Sequence, residues 1–383
     1  MIIDRESAEK LTTELISFPS VTGQPDVQRC AEFICDWFSA VGIQSKIVSF
    51  NGVPNVVATM GKKGGKRLLL DGHFDVMPPG DMNEWHTDPF NAVEKDGWLY
   101  GRGCADMKSG VAAAMLAMKN LQETQTELNG ELVFYGIGDE ETGSVHGTLA
   151  LLAEYDRRFD GAIVPEPTDF CIERAQRGLR WIEFHVKGKA CHAGRPHVGK
   201  NAVEQASKVI IALKNIQYDV SNSLFEKGLE KPSLSVNLIN GGIRNNIIAE
   251  DCTFLIDRRL LPGETVENIM NQVRAAAESV MDEGFAFDMH LVNNGWDPFI
   301  TDGNDPVVQT LVDAYKDVAG HAPVVRGKGG CTDASHISNA GIPVVILGPG
   351  SADESHTANE KTNTDRIAMT AEIIKKAAAV YLS

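Results

Sequence analysis

Residues 66–75 read KRLLLDGHFD. Three leucines stand between a basic pair and the turn-forming Asp71-Gly72. Such a continuous apolar run reads as a strand buried on both faces, because a half-exposed strand would alternate apolar with polar residues. Chemistry follows at once, with His73 and Asp75 one residue apart just past the run. The order of apolar run and then reactive side chains returns twice. Residues 131–137 (ELVFYGI) precede Asp139, Glu140 and Glu141, and residues 161–164 (GAIV) precede Glu166. Between the first two runs, Asp106 leads into an Ala- and Met-rich stretch, 109–121, with helical spacing. Nearer the N-terminus, Cys30, Phe33, Ile34, Trp37, Phe38 and Val41 also recur at helical spacing, and Gly42 suits a C-terminal cap. A helix is expected to begin after Glu141. Strands alternating with helices predict an α/β domain built on a mostly parallel sheet. Open sheets of that kind hold their ligands beyond the C-terminal ends of the strands.

The middle of the chain has another rhythm. Strands are expected at 181–187, 233–239, 251–259 and 286–292, with helices at 201–213 and 265–280. That βαββαβ order is the pattern of a small ferredoxin-like domain. The α/β pattern resumes near residue 302, with a buried strand at 343–347 and a closing helix at 365–382. The expected organisation is a discontinuous catalytic domain, 1–178 with 294–383, interrupted by an inserted domain, 179–293. A length of 383 residues agrees with two domains.

Composition narrows the partners. A hydrophobic share of 43% and a formal net charge of −16 suit a soluble globular protein and oppose nucleic acid or an anionic membrane surface, both of which demand a basic face. No run reaches the roughly 18 apolar residues of a membrane span, and the charged start MIIDRESAEK has no apolar signal segment. Seven cysteines (30, 35, 104, 171, 191, 252 and 331) are odd in number and form no CxxC pair, so a reducing, cytoplasmic setting is expected.

Taken singly, the reactive residues have ordinary explanations. His73 could end a strand, Asp106 could cap a helix, and His356, in DESHTANE, could be a surface histidine. Glu140 and Glu141 are less ordinary, since Asp139–Glu141 puts three carboxylates in succession, which repel one another unless a positive charge is near. Glu166, between Pro165 and Pro167, stands in a stiff turn. Together, His73, Asp75, Asp106, Glu140, Glu141, Glu166 and His356 supply the imidazoles and carboxylates of a site for two divalent ions. They also leave a carboxylate over to move a proton.

These motifs resemble those of the M20 metallopeptidase and deacylase family, whose members include acetylornithine deacetylase, succinyl-diaminopimelate desuccinylase, aminoacylase and carboxypeptidases. The resemblance runs from DGHFDVMPPGDMNEWHTDPF through YGRGCADMKSG, GDEETG and PEPTD to GIPVVILGPG and His356. It implies two divalent ions, zinc first, with cobalt or manganese able to substitute. Asp106 would bridge them, one ion completed by His73 and Glu166 and the other by Glu141 and His356. Glu140 would be the general base and then acid, and Asp75 would support His73. In KACHAGRPHVGKNA, His192 matches a histidine that reaches the substrate carbonyl, with Asn201 nine residues on. Gly241, Gly242 and Asn246 match a GG–Asn segment, and Asp257 and Arg259 a DxR segment. The inserted domain would be a lid that mediates a homodimer. Two departures stand out: Cys191 precedes His192 where glycine is common, and GGCTDASH replaces the usual GGTSDA form.

The reaction so implied is hydrolysis of the amide of an N-acyl amino acid. Water held by the two ions loses a proton to Glu140, and His192 with an ion stabilises the oxyanion. Arg259 or Asn246 meets the substrate carboxylate. A dipeptidase or carboxypeptidase would use the same metals with a longer pocket. A metal-binding scaffold without activity is the reading from another class, and the presence of Glu140 speaks against it. Cys104 and Cys331 have no evident histidine partner in a nucleophile motif.

Overall fold

In the computed structural model, which describes residues 2–218, 228–292 and 295–383, the leucine run is the middle of a strand, Arg67–His73, with Leu68, Leu69 and Leu70 fully buried. The strand continues past Leu70 through Asp71-Gly72 to His73. It does so although Asp71 is buried: the Thr148 hydroxyl, 3.0 Å from Asp71 and 2.7 Å from Asp333, has one proton to donate, and burial together with the Asp333 charge raises the Asp71 carboxyl well above its ordinary range.

Two compact units are present, the chain up to Ala175 with Thr301–Ser383, and Gln176–Ile300. The expected return to the first domain at 293/294 lies outside the described residues. The first unit holds a large mixed sheet whose parallel centre is Glu131–Ile137, Arg67–His73, Gly161–Val164 and Val344–Ile346. His73 pairs in register with Ile137, and Leu70 with Ile163. The residues that follow these strands therefore emerge at one end of the sheet. An antiparallel hairpin, Gln44–Phe50 with Val53–Gly61, extends one edge. Helices Lys108–Glu123, Pro306–Ala319 and Thr364–Tyr381 bury their apolar faces in the same core as Leu68 and Leu70.

Two glycines bring the active-end loops together. A side chain on Gly348 would lie 2.3 Å from the carbonyl oxygens of Pro165 and Glu166, and one on Gly350 would lie 2.3 Å from that of Ala105. Only a bare backbone allows that approach. A small separate sheet, Lys361–Asn363 with Trp98–Tyr100 and Val93–Lys95, joins the chain near its C-terminus to the segment before Asp106.

The second unit is a four-stranded antiparallel sheet in the order Ser233–Gly241, Asp251–Leu260, Gly178–Lys187, Ala286–Leu291. This is the order a βαββαβ chain gives when each helix crosses over one strand. Burial alternates along Asp251–Leu260. The inward residues pack with those of helices Ala202–Lys214 and Val266–Glu278, and Phe184 stacks between Phe254 and Phe287 at 4.8 and 4.9 Å. On the outward face His185 meets Asp251 at 2.8 Å, and Leu238 is exposed beside Leu255.

The helix expected directly after Glu141 is displaced. Glu140–Thr142 is one 3-10 turn closed by Gly143 at φ 103°, and helical backbone resumes at Thr148. A continuous helix would require Gly143 to leave the left-handed region it occupies.

Candidate metal centre

The members of the constellation in the first unit are delivered by strand ends and loops far apart in sequence, with only Glu140 and Glu141 sharing one turn. His73 is the last residue of its strand, Glu140 and Glu141 form the turn after Ile137, and Glu166 lies two residues past Val164. Asp106 ends the loop before the Lys108–Glu123 helix. It does not cap that helix, whose cap position is Met107. His356 stands in the loop before Lys361, at φ 62°.

The side chains converge as two donor groups that share Asp106. In the first, His73 Nε2 lies 3.1 Å from Asp106 Oδ1 and 3.4 Å from Glu166 Oε1. In the second, His356 Nε2 lies 3.0 Å from Glu141 Oε2 and 3.5 Å from Asp106 Oδ2. Each group keeps its donor atoms within 4.8 Å of one another. Glu140 belongs to neither group, its Oε2 being 3.9 Å from His73 Nε2.

The electrostatics ask for positive charge. Burial raises Glu140, Glu141 and Glu166 above the usual carboxylate range. Burial also pushes Asp106 up, but the His73 hydrogen bond and the charges of His73 and His356 outweigh it and bring Asp106 to about 2. Burial would lower His73, yet its hydrogen bonds to Asp106, Asp75 and Glu166 hold it well above its ordinary value. The hydrogen bond to Glu141 raises His356 to about 8.

Asp75 differs in detail from its expected role. His73 Nδ1 lies 2.9 Å from the Asp75 backbone carbonyl and 3.5 Å from its carboxylate. That carboxylate instead accepts from the Thr22 hydroxyl at 2.6 Å and from the N–H groups of Glu140 and Glu141 at 3.1 and 3.3 Å. It orders the Glu140–Glu141 turn as well as facing His73.

Three supporting residues were not legible in the sequence. Glu360, fully buried, accepts from Arg102 and from the N–H groups of Gly103, Ala105 and Asp106. Burial pushes it up to about 7 against the Arg102 charge, and four donors around two oxygens favour the ionised form. Lys328, buried, donates to the Pro167 carbonyl at 2.6 Å, and its charge lowers both Asp106 and Glu166. Asp333, from the GGCTDASH segment, accepts from Ser144 and Thr148 at 2.6 and 2.7 Å. The glycine-rich signature around Asp333 was the one available signal for the last.

In the second unit, His192 is exposed and bridges Ile247, and the N–H of Ala193 donates to the Asn246 carbonyl at 2.9 Å. His192 and Asn246 are thus neighbours. Asn201 caps the Ala202–Lys214 helix through Val203. Arg259 donates to Asp257 at 2.8 Å and sits at the other end of the Asp251–Leu260 strand, about 25 Å from Asp251 at the usual rise per residue.

The donor chemistry fits a pair of borderline divalent ions, with two imidazoles and three carboxylates, one of them the shared Asp106; His73 and Glu166 are buried and His356 is exposed. Residues 69–380 match the description of peptidase family M20/M25/M40. A succinyl-diaminopimelate desuccinylase of Bordetella avium is 30% identical over 365 residues, 93% of each chain. Among solved structures, a tripeptidase of Staphylococcus aureus is similar with a TM-score of 0.81 at 22% identity, covering 100% of both chains. A dinuclear metal binding peptidase of Bacillus subtilis is similar with a TM-score of 0.75 at 16% identity, over 99% of this chain and 98% of that chain. Likeness at such identities speaks for the fold alone.

Proposed function

The chain belongs to peptidase family M20/M25/M40, a family of metal-dependent hydrolases, and we propose that it is a two-ion amidohydrolase removing an N-acyl group from an amino acid, of the succinyl-diaminopimelate or acetylornithine kind. The observation that carries this reading is the pair of donor groups meeting at Asp106 with Glu140 left outside both. His73, Glu166 and Asp106 would hold one ion, and Glu141, His356 and Asp106 the other. Zinc suits this mixture of imidazole and carboxylate, and cobalt or manganese can substitute. When bound, the ions would supply Lewis acidity that polarises the scissile carbonyl and acidifies a water.

The protein's own residues then move the proton. Glu140 takes it from the attacking water and delivers it to the leaving amine nitrogen. Burial already raises the proton affinity of Glu140, which supports that role. Asp75 keeps the Glu140 backbone in place. His192 donates to the carbonyl oxygen as negative charge develops there.

Asn246 and Arg259 are the proposed partners of the substrate carboxylate. Arg259 lies about 25 Å along its strand from Asp251, the end nearer in sequence to Asn246, which supports their coming from different subunits. A homodimer reconciles them, one subunit giving His192 and Asn246 and the other Arg259. Seven cysteines without a disulfide support a cytoplasmic setting, and no helix among the described residues is long and apolar enough to cross a membrane.

A panel of N-succinyl, N-acetyl and N-formyl amino acids with dipeptides, assayed on zinc- or cobalt-loaded protein, tests the reading. Turnover of an N-acyl amino acid above any dipeptide is expected. Turnover of dipeptides alone would reassign the protein to the peptidases of its family.

A further inference from the structure

We propose that Glu360 is a positioning residue that builds the His356 side of the centre by fastening the Asp106 loop to the His356 segment. Its two oxygens divide the work. Oε2 accepts from Arg102 at 2.6 Å and from Gly103 N–H at 3.0 Å, and Oε1 accepts from the N–H groups of Ala105 and Asp106 at 2.7 and 2.9 Å. One buried carboxylate thereby holds three of the four backbone N–H groups from Gly103 to Asp106. The neighbouring residues complete the attachment. The Thr362 hydroxyl donates to the Cys104 carbonyl at 2.7 Å, and the Gly101 N–H donates to the Glu360 carbonyl at 3.0 Å. Asn359 spans the Glu84 carbonyl and the His86 N–H at 2.8 and 2.7 Å. Arg102, itself buried, is held over the Trp85 ring at 5.3 Å. The segment that carries His356 and the loop that carries Asp106 are therefore one construction, centred on Glu360.

The consequence is unequal for the two donor groups. Asp106 belongs to both, but His356 belongs only to the group with Glu141. His73 is fixed as the end of a parallel strand. Glu166 is fixed by its proline-flanked turn against Gly348 and by Lys328 on Pro167. Neither depends on Glu360. Releasing Glu360 loosens two of the three ligands in the His356 group and one of three in the His73 group. Residues that orient metal ligands typically change affinity by about 10–100-fold when altered, and that loss should fall on the ion held by His356.

This assignment rests on the two-ion reading, and one titration separates the two. Full-length protein stripped by chelation is titrated with cobalt(II), followed by calorimetry and visible absorbance. The parent should take two equivalents. Glu360→Gln, which removes the charge and turns one acceptor oxygen into a donor facing donors, should lose about 10–100-fold at one site and less than about threefold at the other. Glu360→Asp keeps the charge and draws it back by one methylene. It should show the same inequality with a smaller loss, and serves if Glu360→Gln does not fold. A folded variant with both sites unchanged, or both weakened equally, overturns the assignment and leaves the two-ion reading intact. Failure of both variants to fold makes Glu360 a determinant of the whole fold and also overturns it. A parent that takes one equivalent overturns the two-ion reading and the assignment with it.

Discussion

Replacing Glu140 by glutamine separates proton transfer from metal binding more cleanly than any other change at this centre. The amide is nearly isosteric with the carboxylate. The backbone of the turn is held independently of the side chain, by the Glu140 N–H on Asp75 at 3.1 Å and the Gly143 N–H on the Glu140 carbonyl at 2.8 Å. The side chain lies outside both donor groups, so two ions per chain should remain with zinc in excess. What is lost is the base. Positioned general acid–base catalysis contributes roughly 10²–10⁴-fold, or about 3–5 kcal/mol of barrier at 1.36 kcal/mol per tenfold. The assay is kcat and KM on the best substrate of the panel, with zinc content measured on the same sample. A fall of that size in kcat with KM and zinc nearly unchanged is expected. Activity and zinc falling in parallel would make Glu140 a ligand. Full zinc with a loss below about tenfold would move the base elsewhere.

Asp106→Ala should lose at least one ion, because the shared aspartate serves both donor groups. Two equivalents bound with parental affinity would remove it from the bridging position. A pH effect follows from Asp333, which burial pushes up to about 6. A carboxyl raised by folding adds stability below its unfolded value near 3.8, and that stability is lost as pH rises through about 6. Chelator-treated Asp333→Asn, which keeps an acceptor for Ser144 and Thr148, should therefore be more stable than the parent at pH 8, by roughly 3 kcal/mol at most. The gap should narrow as pH falls through 6, and a melting difference independent of pH would contradict it. For the dimer, mixing inactive His192→Ala with inactive Glu140→Ala should restore activity, up to half of the sites in each heterodimer being intact. Activity at background after verified subunit exchange excludes action of His192 in trans.

The parallel centre of the sheet was legible because its strands are continuous apolar runs, and His73, Glu141 and Glu166 were legible because they end or closely follow those runs, whereas Asp106 and His356 stand in loops. The inserted sheet was legible from alternation, which Asp251–Leu260 displays along its length. The Gln44–Phe50 and Val53–Gly61 hairpin was not foreseen. Its outer strand is only partly buried, so periodicity gave it little contrast. The strand runs on past Leu70 although Asp71 reads as a turn residue, and the groups that face its buried carboxyl come from far along the chain, Thr148 being 77 positions away. Glu360 was invisible for the same reason. Its partners are a guanidinium and backbone N–H groups 254–258 positions away, and backbone groups leave no mark in a sequence. Residue types announce chemistry, whereas the residues that hold that chemistry still are known only from the fold.

The most direct test of the central claim is anomalous diffraction at the zinc edge from crystals of zinc-loaded protein. Two peaks are expected per chain, one among His73, Glu166 and Asp106 and the other among Glu141, His356 and Asp106, with an Asp106 oxygen within about 2.2 Å of each. Glu140 should touch neither peak. A single peak, or two peaks of which Asp106 contacts only one, would contradict the account.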